Sequence, residues 1–222
     1  MHCPRLDHFV RLNQDGSVGK CGHMVNAKGF ESYEELEHSE WMKGIRDTMS
    51  QDKWPDECTR CQQSERVKGE SIRTNSITRH KMLHPIRKDY LIVGGVLDNV
   101  CNSACQSCNA GLSTKIGSLF KKLPQERIIE FDVNGGEPTA SKNYKKILKA
   151  LPENVKIVRM NTNGSRMISE LEDVLKRNVM VIVTMSLDGI GSVHDYTRWP
   201  IKWTDYKKTV DAYKKLQEKY KL

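Results

Sequence analysis

Residues 91–108 read LIVGGVLDNVCNSACQSC, a short apolar run of strand length followed at once by a loop with three cysteines. Three further runs rich in valine and isoleucine follow along the chain, at residues 128–133, 155–160 and 179–185. Short, almost wholly apolar runs are typical of parallel strands buried on both faces of a sheet. Helix-like stretches alternate with them, at residues 113–123, 141–151, 168–177 and 204–222. This alternation predicts an α/β fold with a parallel sheet.

The first 65 residues follow a different pattern. The turn sequence NQDGSVGKC at residues 13–21 predicts a β-hairpin. Ser32 and Glu35 form a capping box that predicts a helix running to about Ser50. Four apolar side chains are available for the inner face of this helix: Leu36, Trp41, Ile45 and Met49. The sequence therefore predicts a small α+β region before the parallel sheet.

Three parts of the chain follow from these patterns. We expect a cysteine-rich α+β domain at residues 1–65, a connector at residues 66–88 and an α/β domain at residues 89–222. The connector holds seven lysines and arginines and a single acidic residue. A solvated linker explains such a charge run, and a strip that binds RNA or substrate is the alternative.

Composition excludes several classes of protein. The 222 residues include 36 Lys and Arg against 28 Asp and Glu, a formal charge of +8, and 37% hydrophobic residues, so we expect a globular chain. No apolar run approaches the roughly 18 residues that a membrane span needs. The first residues lack the pattern of a secretory signal. We therefore expect a cytoplasmic protein with no membrane partner and with reduced cysteines.

The seven cysteines divide into four and three. The first third of the chain holds Cys3, Cys21, Cys58 and Cys61, and one tight group holds Cys101, Cys105 and Cys108. Four thiolates complete a tetrahedral site or a cluster, whereas three leave one coordination position open for chemistry. Soft sulfur ligands favour iron–sulfur clusters, zinc or copper. The CxxxCxxC spacing alone leaves zinc and iron–sulfur open.

The loops that follow the other three strands carry candidate ligand-binding residues, because such loops hold the functional groups in α/β barrels and related folds. In NGGEP, Gly135 and Gly136 allow close backbone approach, and Glu137 can accept hydrogen bonds from an ammonium group. The later loops NTNGS and SLDGIGSVHDYTR offer an amide, a hydroxyl, a carboxylate and a guanidinium: Asn163, Ser186, Asp188 and Arg198. Each residue alone also fits an ordinary turn or a surface ion pair.

In combination, the CxxxCxxC and GGEP loops resemble the radical S-adenosylmethionine (SAM) superfamily over residues 89–222. The resemblance implies a partial (β/α) barrel of the radical SAM type. It also implies a 4Fe–4S cluster on Cys101, Cys105 and Cys108. The GGEP loop would then hold the methionine amine of SAM. The carboxylate and ribose of SAM would meet residues after the later strands: Asn163, Ser186, Asp188 and Arg198.

The activity implied by this resemblance is that of an oxidoreductase. An electron from a reductase, flavodoxin or ferredoxin enters the reduced cluster, and SAM is cleaved to a 5′-deoxyadenosyl radical that abstracts hydrogen from a substrate. Two features depart from the family pattern. Ser107 stands where the family often has an aromatic residue, and four strand-helix units are present where the family usually has about six. We therefore expect the barrel to be truncated at its carboxyl end.

The cysteine-rich first third is similar to SPASM or twitch domains, which carry auxiliary clusters in radical SAM enzymes. This similarity implies a second 4Fe–4S cluster on Cys3, Cys21, Cys58 and Cys61, with a structural zinc as the alternative. Relatives with such a module commonly modify ribosomally made peptides or proteins, so we expect a peptide or protein substrate. Two other functions stay open: modification of RNA, and a zinc-stabilised binding protein without catalysis.

Overall fold

The computed structural model describes residues 1–13, 15–96, 101–102, 120 and 122–220. Within these residues the chain forms one six-stranded sheet with the order β2-β1-β3-β4-β5-β6. The strands are β1 (Phe9–Leu12), β2 (Val18–Gly19), β3 (Leu91–Val96), β4 (Ile128–Asn134), β5 (Ile157–Thr162) and β6 (Met180–Met185). Strand β2 pairs antiparallel with β1, and all other neighbours pair in parallel. The predicted α/β class is confirmed.

Nine α-helices lie in the described residues. They are α1 (Arg5–His8), α2 (Tyr33–His38), α3 (Glu40–Ser50), α4 (Thr59–Lys68), α5 (Ile72–Leu83), α6 (Lys142–Lys149), α7 (Glu170–Lys176), α8 (Ser192–Thr197) and α9 (Trp203–Tyr220). Three predicted helices correspond to α6, α7 and α9. The helix predicted at residues 113–123 lies almost wholly outside the described residues. No helix among those described is both long and apolar enough to cross a membrane.

The helix predicted from Ser32 to Ser50 is in fact two helices. Ser39 takes an extended backbone conformation (φ −65°, ψ 142°) that ends α2, and its hydroxyl accepts a hydrogen bond from the N–H of Met42 to cap α3. The predicted inner face is largely correct, because Leu36, Ile45 and Met49 are buried. Trp41 is only half-buried. A serine can interrupt a helix because its side chain competes for the backbone groups that the helix would use.

One row of apolar side chains crosses the sheet and forms the centre of the main core. The row runs through successive parallel partners: Val10, Val93, Phe131, Val158 and Val181. Residues of α3, α6 and α7 belong to the same buried cluster. Each apolar side chain removed from water in this way contributes about 1.5 to 3 kcal/mol of stabilisation.

The opposite face of the sheet carries a smaller apolar cluster, which includes Ile92 and Ile129, and beside it buried charged side chains that the expectation of apolar strands did not include. Glu130 on β4 is fully buried and accepts a hydrogen bond from the Arg79 Nε of α5 at 2.8 Å and another from the Arg159 Nε of β5 at 2.5 Å. Asp132 lies 3.4 Å from Arg79. Burial lowers the pKa of Arg79 to about 10, because removal from water disfavours its charged form. The predicted connector therefore contains a helix, α5, that is bound to the sheet by a buried ion pair.

Two adjacent glycines allow β1 to pair closely with β3. Gly95 has a φ of +122°, and a Cβ atom there would lie 2.2 Å from the Leu12 carbonyl oxygen. A Cβ atom on Gly94 would lie 2.4 Å from the Phe9 ring. Larger residues at either position would push β1 away. The sheet thus continues from the cysteine-rich first third into the strands after residue 89, and the division into domains stays a prediction.

Replacing Glu130 by Gln should lower the free energy of unfolding by about 3 kcal/mol. That value is the lower end of the range for breaking a buried ion pair, since the two arginines keep some contact with water. Urea denaturation followed by circular dichroism measures the change. The matched control is Glu153→Gln at an exposed position, which should change stability by less than about 0.5 kcal/mol. Equal stability of the two variants would contradict a stabilising role for the ion pair.

Candidate functional site

Loops after three neighbouring strands meet at the carboxyl edge of the sheet. Asn163, after β5, donates a hydrogen bond from Nδ2 to the Asn102 Oδ1 at 2.9 Å, and the same nitrogen lies 4.0 Å from the Cys101 Sγ. The backbone N–H of Asn163 donates to the Glu137 Oε2 at 2.6 Å. Because β3, β4 and β5 are parallel, all three loops leave the sheet on the same side. The structure thus brings together three of the predicted site residues: Cys101, Glu137 and Asn163.

Glu137 is the buried centre of this edge, with an exposed fraction of 1%. Besides the Asn163 N–H, its carboxylate accepts hydrogen bonds from the Thr139 N–H at 3.0 Å and the Thr162 hydroxyl at 2.7 Å. A carboxylate has about four acceptor positions, so these three donors leave about one for a ligand. Glu137 therefore joins its own loop to the loop after β5. Gly135 and Gly136 precede it and are half-buried.

Polar side chains that the sequence analysis did not select hold Cys101 at this edge. Asn102 donates from Nδ2 to the Ser165 Oγ at 3.0 Å, and the Asn163 Oδ1 accepts from the Ser165 N–H at 3.0 Å. The N-T-N-G-S sequence contains the signal, because asparagine and serine bond locally to backbone in turns. Asn102 carries no such signal, since its partners lie about 60 residues away in the chain.

Cys101 is exposed at the edge of the sheet. The two cysteines predicted to share its cluster, Cys105 and Cys108, lie outside the described residues. The assignment of the three thiolates to one cluster stays a prediction.

The last predicted residues follow β6. The Ser186 N–H donates to the Thr162 carbonyl oxygen at 2.8 Å, which links this loop to β5. Asp188 and Arg198 form an ion pair, with 2.6 Å between the carboxylate and the guanidinium Nε. The loop between them contains α8, which the sequence analysis did not predict. This pair holds together the two ends of the α8 loop, and its contact with SAM stays a prediction.

The four cysteines of the first third line one small cavity. They come from three places: Cys3 precedes α1, Cys21 follows β2, and Cys58 and Cys61 lie at the beginning of α4. Burial raises the pKa of the Cys3 thiol to about 11 and that of the Cys58 thiol to about 12, and the neighbouring thiols add to both shifts. The structure thus brings all four predicted residues to one place. Their role as metal ligands stays a prediction.

No protein-family model matches the chain. Over 131 residues, the chain is 27% identical to the sporulation killing factor maturation protein SkfB of Bacillus subtilis (strain 168). That alignment covers 55% of this chain and 32% of the relative. Two crystal structures of Streptococcus suis SuiB, one of them bound to S-adenosylmethionine, align with a TM-score of 0.46 each, at 13% and 14% identity. Both alignments cover 95% of this chain, and they cover 53% and 52% of SuiB.

The chain therefore spans about a third of the length of the curated relative that it matches and about half of the SuiB structures.

Replacing Glu137 by Gln should destabilise the protein by about 2 kcal/mol in the absence of any ligand. An amide group would point a donor at one of three protein donors, and a buried unsatisfied group costs about 1 to 3 kcal/mol. Urea denaturation checks this result against Glu126→Gln, an exposed control. A fully stable Glu137→Gln variant would argue against a role in joining the two loops.

In metal-free protein, Cys3 should react slowly with iodoacetamide. Its pKa of about 11, against an ordinary value of 9.0, lowers the thiolate fraction at pH 8 about 100-fold, and only the thiolate reacts. Timed alkylation followed by mass spectrometry measures the rate. The control is the same cysteine in urea, where the rate should rise to that of an ordinary thiol. Equal rates in folded and unfolded protein would contradict the burial of Cys3.

Proposed function

We propose that this chain is part of a radical SAM oxidoreductase that modifies a peptide or protein. One observation carries the proposal: the Sγ of Cys101, the first thiol of the CxxxCxxC loop, lies 4.0 Å from the Asn163 Nδ2, and the Asn163 N–H donates to Glu137 of the GGEP loop. The first motif ends at Cys108 and the second begins at Asn134, which is 26 residues later in the sequence. Their meeting at one edge of a parallel sheet supports a joint function rather than two unrelated turns.

The residues at this edge fit the groups of SAM. The three cysteines would hold a 4Fe–4S cluster, which supplies the electron for SAM cleavage when it is bound. The remaining acceptor position of Glu137 suits the methionine ammonium, and the half-buried Gly135 and Gly136 let the ligand approach the backbone. Asp188 and Arg198 provide a carboxylate for ribose hydroxyls and a guanidinium for a carboxylate. Ser186 and Asn163 add neutral hydrogen-bonding groups.

We propose further that the first four cysteines hold an auxiliary iron–sulfur cluster. Thiolates around a single zinc ion lie about 3.8 Å apart, because each Zn–S bond is about 2.3 Å in a tetrahedron. A 4Fe–4S cluster puts each thiolate on a different iron and so needs a wider arrangement. Four thiols around one cavity can supply either site, and the similarity of this region to SPASM or twitch domains supports the cluster.

A peptide or protein substrate is supported by the relative, which is a maturation protein for sporulation killing factor.

The charge distribution of the connector does not favour RNA as the substrate. Two arginines of the basic connector are occupied inside the protein, since Arg73 pairs with Glu65 at 2.5 Å and Arg79 pairs with Glu130. Fewer cations therefore remain for a nucleic acid backbone than the sequence suggests.

The proposed activity is tested by anaerobic reconstitution with iron and sulfide. The loaded chain should contain about eight irons, four for each cluster. With dithionite and SAM it should produce 5′-deoxyadenosine, which liquid chromatography with mass spectrometry detects. Replacing Cys105 by Ala should abolish this product, because the cluster that binds SAM loses a ligand. Replacing Cys58 by Ala should leave part of it, because only the auxiliary cluster is affected.

Zinc in place of iron after reconstitution would contradict the proposed function and support a binding protein instead. Production of 5′-deoxyadenosine by the Cys105→Ala variant at the wild-type rate would contradict the assignment of this cysteine.

A further inference from the structure

Arg5 stands out at the four-cysteine cavity because its guanidinium has no acidic partner in the described residues. Its Nε is buried and makes no hydrogen bond in that part of the chain. Its one close contact of note is the Phe9 ring, whose centre lies 3.5 Å from the guanidinium carbon. Arg73, the other arginine at the cavity, is paired with Glu65. The two arginines are therefore not equivalent.

Neighbouring residues fix the position of Arg5. It begins α1 two residues after Cys3. Its side chain lies against Phe9, and Phe9 lies against Gly94 of the neighbouring strand β3, where any larger side chain would collide with the ring. The strand pairing thus holds a cation at the wall of the cavity that the four cysteines line.

A partly buried cation without a counter-ion is unfavourable, because it loses contact with water and gains no opposite charge. Stacking on an aromatic ring offsets only about 0.5 to 2 kcal/mol of this loss. The four thiols can supply the missing negative charge. Once bound to a metal centre they are thiolates, and their four negative charges exceed the positive charge of a zinc ion or of an oxidised 4Fe–4S core.

We propose that Arg5 is the counter-ion of the metal centre held by Cys3, Cys21, Cys58 and Cys61, and that it favours the reduced form of that centre. The inference rests on the auxiliary cluster of the proposed function. One electron added to the cluster makes it more negative and strengthens its attraction to the fixed positive charge. Arg5 acts through charge, and it neither binds the metal nor touches substrate.

The test measures the midpoint potential of the auxiliary cluster by electron paramagnetic resonance at controlled potentials. The Cys105→Ala background removes the signal of the other cluster. Arg5→Gln should lower the equilibrium constant of reduction about tenfold. The midpoint potential should therefore become more negative by about 59 mV, the shift that corresponds to a tenfold change for one electron. Arg5→Lys keeps the charge and should stay close to the parent protein. The matched control Arg66→Gln removes an exposed charge of α4 and should leave the potential unchanged.

A cluster that assembles fully in Arg5→Gln with the parent's potential would overturn the role of Arg5 and leave the proposed function intact. Loss of iron from Arg5→Gln but not from Arg5→Lys would support the role, because charge alone separates these variants. Loss of iron from both would overturn it. If the parent protein binds no iron at the four cysteines, the proposed auxiliary cluster fails together with this inference.

Discussion

The close pairing of β1 with β3 organises the rest of the molecule. It depends on Gly94 and Gly95, because any side chain there would collide with Phe9 or with the Leu12 backbone. The pairing adds the first strand of the chain to the parallel sheet, and α1, just before that strand, carries Arg5 to the four-cysteine cavity. Cys101 follows the carboxyl end of β3, whereas α1 precedes the amino end of β1. One pair of strands therefore connects the four-cysteine cavity with Cys101.

Charged groups inside the protein are treated in two different ways. Glu130 is fully buried, and the guanidiniums of two arginines neutralise it, so β4 and α5 stay together. Arg5 is also partly buried, and among the described residues its guanidinium contacts the aromatic ring of Phe9 and no carboxylate. Buried ion pairs are stable only when their hydrogen bonds are satisfied. This difference makes Arg5 a candidate for a charge that arrives with a bound centre.

Much of the fold follows from local patterns. Short apolar runs predicted β3, β4, β5 and β6, since such runs are typical of the strands of a parallel sheet. The buried charges on the second face were missed, although Glu130 and Asp132 interrupt the apolar run on either side of Phe131. Helix α5 was missed because its sequence has no apolar stripe. It is held by Arg79 and by the packing of Leu83.

Spacing in the chain was sufficient to identify the CxxxCxxC loop and the GGEP loop, because each is a local pattern of residues with a common chemistry. The positions of the seven cysteines along the chain suggested their division into four and three. Other features required the folded chain. Cys3 and Cys61 line one cavity, and Glu137 receives hydrogen bonds from Thr162 and Asn163 at the end of the next strand, only because the tertiary fold brings distant segments together. No local rule contains such contacts, since their partners lie 25 or more residues apart.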